Sequence, residues 1–210
     1  MGKTCAIRTQ DNLRSPQFHF FQSLVAFLTI LVFSKANLLA ATTAANSASH
    51  SIPRIESINL VDLNKASVGF PLLKPTVFVF LSSMCPCSMS HIEELKNITD
   101  DFSQIQMVGV SSNLDETDAA AHEYFKNTGL KFVVLKDVES KLANYFKASK
   151  TPHAFLLNTD GKVLFQGGVS NSSKFEQADR RYLREALVDV ISGKPVRTPF
   201  ARALGCAIRR

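Results

Sequence analysis

Cysteine is scarce in this chain: four in 210 residues, at Cys5, Cys85, Cys87 and Cys206. That is too few and too scattered for a scaffold built on disulfides, and no pair of Cys-x-x-Cys motifs is present to hold structural zinc. Long hydrophobic runs are also lacking. The segment Leu24–Phe33 (LVAFLTILVF) is charge-free but only ten residues long, short of the roughly 20 that a helix needs to cross a bilayer. The basic residues have no interleaved aromatics and form no known nucleic-acid module, so a nucleic-acid partner is excluded. Half of the net charge of +6 comes from residues 1–40, where Lys3, Arg8, Arg14 and Lys35 face only Asp11. The remaining excess is local, in Arg180, Arg181 and Arg184 and then Lys194, Arg197, Arg202, Arg209 and Arg210. No internal repeat is visible.

What is there divides by composition. A basic start, a short apolar core and a small polar exit through Ala40–Ser49 form the pattern of a secretory signal peptide over residues 1–40, cut between Ala36 and Ala45. An uncleaved segment would instead anchor the chain. Cleavage removes Cys5 and His19, and export places the remainder in a compartment where disulfides persist, periplasmic or extracellular. Residues 41–57 read as a linker, 58–193 as one domain, and 194–210 as a basic tail carrying Cys206. His50 and His122 read as surface residues. Asn97-Ile98-Thr99 and Asn171-Ser172-Ser173 are glycosylation sequons, meaningful in a eukaryotic secretory cell.

The domain is organised around Met84-Cys85-Pro86-Cys87-Ser88-Met89-Ser90-His91. The apolar run Thr76–Leu81 before it predicts a buried strand, and Pro86 suits the first turn of a helix, where its missing N–H costs nothing. Cys85 then falls at the helix N-cap, where free backbone N–H groups favour the thiolate. The competing reading is that these cysteines are small buried apolar residues. Ile92, Leu95, Ile98 and Phe102 continue a helical face. Further elements follow: a strand over Ile105–Val110, a helix capped by Asp115 and ended by Asn127-Thr128-Gly129, and a strand over Lys131–Leu135. A short helix over Glu139–Phe146 comes next, then a strand from Ser149 to Leu157 and a hairpin through Asp160-Gly161 into Lys162–Phe165. A helix over Arg180–Ile191 closes at Gly193. Strand–helix alternation ending in a hairpin and helix predicts an α/β domain, a central mixed sheet flanked by helices.

That order, with Cys-Pro opening the first helix and Thr151-Pro152 opening the fourth strand, resembles the thioredoxin fold. More narrowly it is similar to the redoxin branch, the AhpC/TSA and TlpA-like group. The resemblance covers about Ile58 to Ile191. It rests on Phe78–Ser88 (FVFLSSMCPCS) and on Lys150–Asn158 (KTPHAFLLN) with Asp160-Gly161; Gly205-Cys206-Ala207-Ile208 is a shorter match to endings of exported redoxin-domain proteins. It implies a cis Thr151–Pro152 bond facing a nucleophilic Cys85, with Thr151 and Pro152 contacting substrate. No cofactor is implied. The implied substrates are protein thiols or disulfides, or a peroxide, with a separate electron donor.

Departures from the pattern shape the expectation. The resolving position of Cys-x-x-Cys holds Ser88. The peroxiredoxin pattern is half filled, with Ser82 at the hydroxyl position and Phe78 where its proline belongs. A thiol that attacks a disulfide or peroxide needs a second thiol to release the product. Two candidates stand open, Cys87 nearby and Cys206 on the tail; Cys206 could equally be a static pin, and Cys87 a packed helix residue. His91 and His153 are candidates for tuning the thiolate or relaying a proton. The expected function is an exported thiol–disulfide oxidoreductase using Cys85, with Cys206 or Cys87 as partner. The alternatives are an AhpC/TSA-type thiol peroxidase, an antioxidant role, and a Cu(I)-binding metallochaperone with Cys85, Cys87 and His91 as ligands among the soft donors Met84 and Met89. The copper-delivery SCO proteins use the same fold with a Cys-x-x-x-Cys spacing.

Overall fold

The computed structural model describes Leu60–Asp62, Ser67–Val68 and residues 72–210. The expected signal segment, its cleavage zone and the linker lie outside the described residues. Strands β1 (Leu60–Asp62) and β2 (Ser67–Val68) lead in, followed by β3 (Thr76–Leu81). The chain turns through Cys85 into α1 (Pro86–Ser90) and α2 (Ile92–Asp101), then β4 (Gln106–Ser111), α3 (Asp118–Asn127) and β5 (Val134–Lys136). After α4 (Lys141–Phe146) come β6 (Lys150–Thr151), β7 (His153–Leu157), β8 (Val163–Gly167), α5 (Tyr182–Ile191) and β9 (Cys206–Ala207).

Seven strands form one mixed sheet in the order β2-β1-β5-β4-β3-β7-β8. The β3–β4 and β4–β5 pairs are parallel and the others antiparallel. All six residues of β3 are buried, as expected of a strand with both faces covered. Its side chains alternate between two cores. Val77, Val79 and Leu81 pack with Leu95 and Ile98 of α2 and Leu183 and Leu187 of α5. Phe78 and Phe80 pack with Leu142 and Phe146 of α4 and with Ile208 of the tail. Phe146 stacks on Phe155 with ring centroids 4.6 Å apart. This is the α/β architecture that the element order predicts.

The boundaries move for local reasons. The helix after the motif is broken at His91, because the Cys87 carbonyl that would accept the His91 backbone N–H is taken by the ring Nδ1 of His91 at 2.7 Å. The His91 N–H bonds Ser88 O instead, at 3.1 Å. The cap of α3 is Thr117, whose hydroxyl accepts from Ala120 N, while Asp115, the expected cap, pairs with Arg209 at 3.1 Å. The strand expected at Lys131–Leu135 is β5, paired along β4 as far as Ser111↔Lys136. The helix expected from Glu139 begins at Lys141, with the Asp137 carboxylate accepting from Leu142 N and Ala143 N.

The largest change concerns the tail, which has no regular pattern in sequence. Gln166 N bonds Pro199 O and Ala201 N bonds Gln166 O, which runs the tail along β8. Farther on, Cys206–Ala207 pairs antiparallel with Lys150–Thr151, and Ile208 N bonds Ser149 O at 3.0 Å. Gly205 is needed for that approach: a Cβ there would lie 2.0 Å from the Thr151 carbonyl oxygen.

Candidate functional site

Cys85 ends the turn out of β3 and serves as the N-cap of α1, with Pro86 in the first helical position. Its thiol is buried, 1% exposed. The Ser88 N–H donates to Cys85 Sγ at 3.4 Å, and the protonated thiol donates to the Thr151 carbonyl at 3.0 Å. The Thr151–Pro152 bond is cis, so the segment facing Cys85 has the geometry that the resemblance implies. Ser88, read from sequence only as a missing cysteine, therefore has a part of its own: its N–H bonds the thiol and its buried hydroxyl accepts from Ser82 N at 3.3 Å.

Cys206 is brought to the same place by the β6–β9 ladder, where it pairs with Thr151. The Sγ atoms of Cys85, Cys87 and Cys206 all lie within 4.8 Å of one another, and all three residues are free thiols. A residue near the C-terminus thus joins a motif 121 positions earlier in the chain.

The three thiols differ in acidity. Burial raises the pKa of Cys85, but hydrogen bonding by the Cys206 thiol, the Thr151 side chain and the Ser88 N–H outweighs it and brings the group from 9.0 down to about 7. Burial raises Cys206, and so does its position as hydrogen-bond donor to Cys85 beside a developing negative charge; it is pushed up to about 12. Cys87 is raised by burial and by the charge on Cys85. One thiolate is therefore favoured, and the other thiols hold it.

The two histidines part company with the motif. His91 is buried, with Nδ1 on Cys87 O at 2.7 Å and Nε2 on Ser170 Oγ at 2.8 Å, and its ring lies edge-on to Phe175. A carbonyl only accepts, so Nδ1 carries the proton and Nε2 is the acceptor of the neutral ring. Burial lowers its pKa. With both nitrogens engaged, His91 lies outside the thiol cluster, and Cys206 stands where the copper reading places His91. His153 follows the cis-proline and packs against Phe155 with ring centroids 4.5 Å apart. Burial lowers its pKa to about 4, and its Nδ1 has no hydrogen-bond partner. Ser82 Oγ accepts from Met84 N at 3.1 Å, a turn contact.

Sequence reasoning missed Thr151's carbonyl as a partner of the thiol, Ser170 as the partner of His91, and Gly205 as the residue that lets β9 close on Thr151. Only Gly205 left a signal, as a glycine directly before a cysteine.

With this geometry in place, likeness to known proteins can be stated. Residues 74–163 match the family described as thioredoxin-like. An uncharacterized conserved protein from Geobacillus kaustophilus superposes with a TM-score of 0.66 at 21% identity, over 73% of this chain and 88% of that one. A hypothetical protein from Sinorhizobium meliloti 1021 gives 0.65 at 24% identity, over 72% and 89%. The described domain has the thioredoxin-like fold, a mixed central sheet flanked by helices. In sequence, the chain is 33% identical over 55 residues to the thiol-disulfide oxidoreductase ResA of Bacillus subtilis (strain 168). That match takes in 26% of this chain and 31% of ResA, less than a third of that relative's length.

Proposed function

We propose that this protein is an exported thiol–disulfide oxidoreductase in which Cys85 is the nucleophile and Cys206 the resolving thiol. The observation that carries the reading is the meeting of Cys85, Cys87 and Cys206 within 4.8 Å beside the cis Thr151–Pro152 segment. The partial likeness to ResA points the same way, and the N-terminal pattern supports export.

The Cys85 thiolate attacks one sulfur of a substrate disulfide, forming a mixed disulfide and expelling the other substrate sulfur as a thiolate. Negative charge then leaves Cys85, and with it one of the causes that hold the proton on Cys206. Cys206 loses its proton, attacks Cys85 Sγ and releases the second substrate thiolate. The protein is left with a Cys85–Cys206 disulfide and the substrate with two thiols. An external dithiol reverses the change in the protein; run backwards, the same steps oxidise a substrate dithiol. Thr151 and Pro152 form the wall against which the substrate backbone lies.

Dithiothreitol-driven reduction of insulin tests this. The wild-type protein should turn over, Cys206→Ser should accumulate a trappable mixed disulfide on Cys85, and Cys87→Ser should still turn over. Trapping in Cys87→Ser with normal turnover in Cys206→Ser would reverse the assignment. Consumption of peroxide with no insulin reduction would replace the reading by a thiol peroxidase.

A further inference from the structure

A two-thiol exchange leaves one member of the cluster without a task. Cys87 sits two residues from Cys85 on α1, and its Sγ is within 4.8 Å of both other sulfurs. Three thiolates bound to one ion at about 2.3 Å in a plane would stand about 4 Å apart, and no two sulfurs of the cluster are more than 4.8 Å apart.

The fold has already brought the ligands together. Cys85 is fixed by the N-cap of α1 and its bond to Thr151. Cys206 is fixed by pairing with Thr151, and just beyond it Ile208 N bonds Ser149 O and Arg209 N bonds Asn113 Oδ1 at 2.9 Å. The chemistry of the donor set is narrow: sulfur alone, three atoms, with the His91 nitrogens both committed to Cys87 O and Ser170 Oγ. Among the described residues no other group of His, Cys, Asp and Glu is gathered in this way. Structural zinc takes four ligands; soft thiolates in a three-coordinate, all-sulfur set suit Cu(I).

We propose that the reduced protein binds one Cu(I) ion through Cys85, Cys87 and Cys206. Binding involves no change of oxidation state: the ion enters as Cu(I), each thiol that still carries a proton releases it to solvent, and three Cu–S bonds form. The site is lost when any two of the three sulfurs are joined as a disulfide. Copper loading and disulfide exchange are therefore alternative states of one cluster, and the metal site stands or falls independently of the exchange reaction.

The test titrates Cu(I), anaerobically, into the fully reduced full-length protein in competition with bathocuproine disulfonate, and counts the copper ligands by X-ray absorption. The proposal expects one Cu(I) per chain with three sulfur neighbours, and none retained by the oxidised protein. Cys206→Ser and Cys87→Ser should each weaken binding at least a hundredfold, while Met84→Leu with Met89→Leu stays within threefold. Complete loss of copper to the chelator, a nitrogen neighbour in the absorption data, or preference for Zn(II) over Cu(I) would overturn it. Full affinity in Cys87→Ser would do the same. The ligand count is made on the wild-type protein, so it decides even if a cysteine variant fails to fold.

Discussion

The turn that carries Cys85 and the tail that carries Cys206 reach the same few ångströms by opposite routes. The turn is local: a buried strand, a proline at the first helical position and a cysteine at the cap, all within consecutive residues. The tail owes its place to long-range pairing, with β8 through Gln166 and with β6 through Lys150–Thr151. The chemical outcome is also opposite. Burial raises both thiols, yet Cys85 is brought down to about 7 and Cys206 is pushed up to about 12. The difference is the direction of donation between them: the ionised Cys85 accepts a hydrogen bond, and Cys206 gives it. An acidic thiol here is the product of its neighbour's reluctance to ionise.

Removing the turn's sulfur should have the largest effect. Cys85→Ser is expected to take insulin reduction to the level of dithiothreitol alone, since it removes the one thiol of the cluster whose pKa is lowered. Removing the tail's sulfur comes next. In the reduced, metal-free wild-type protein, alkylation of Cys85 by iodoacetamide should be slow below pH 7 and rise through a midpoint near 7, as the thiolate forms. Cys206→Ala withdraws the leading hydrogen bond that lowers Cys85, so the midpoint should move upward, toward 9.0. An unchanged midpoint would mean that the tail does not set the acidity of the turn.

Gly205→Ala tests the docking rather than the sulfur. The added methyl meets Thr151 O at 2.0 Å, so β9 must shift, with an expected cost of about 1–3 kcal/mol for overpacking. Urea unfolding should show that loss, and the Cys85 midpoint should rise part of the way seen in Cys206→Ala. Arg209→Ala should do least. Its pairing with Asp115 at 3.1 Å is largely exposed, and exposed pairs contribute about 0.2–1 kcal/mol at most; the midpoint should stay where it is.

The contrast also explains what could be read from the sequence. The order of strands and helices, the buried strand before the motif and the cap position of Cys85 follow from short-range patterns: apolar runs, Pro86, Asp160-Gly161, Gly193. The cis Thr151–Pro152 bond came through likeness to a family. Capping was less legible, because Asp115 and Thr117 are both good caps and Asp115's pairing with Arg209 lies 94 positions away. The break at His91 depends on a ring nitrogen turning back to Cys87 O, which no periodicity signals. The place of Cys206 was legible only as an open choice, since Lys194–Arg210 has no alternation of its own and pairs in short pieces. His91, in the motif, and His153, after the proline, stood out in the sequence as candidates for tuning the thiolate, but what burial does to them is a property of the packed core.

The central claim is that Cys85 and Cys206 exchange as a pair. Disulfide mapping by mass spectrometry, on protein oxidised by a small disulfide and again after mild reduction, tests it most directly. A Cys85–Cys206 peptide pair that disappears on mild reduction, with Cys87 alkylated as a free thiol throughout, is the predicted result. A Cys87–Cys206 disulfide that survives mild reduction while Cys85 stays free would contradict it.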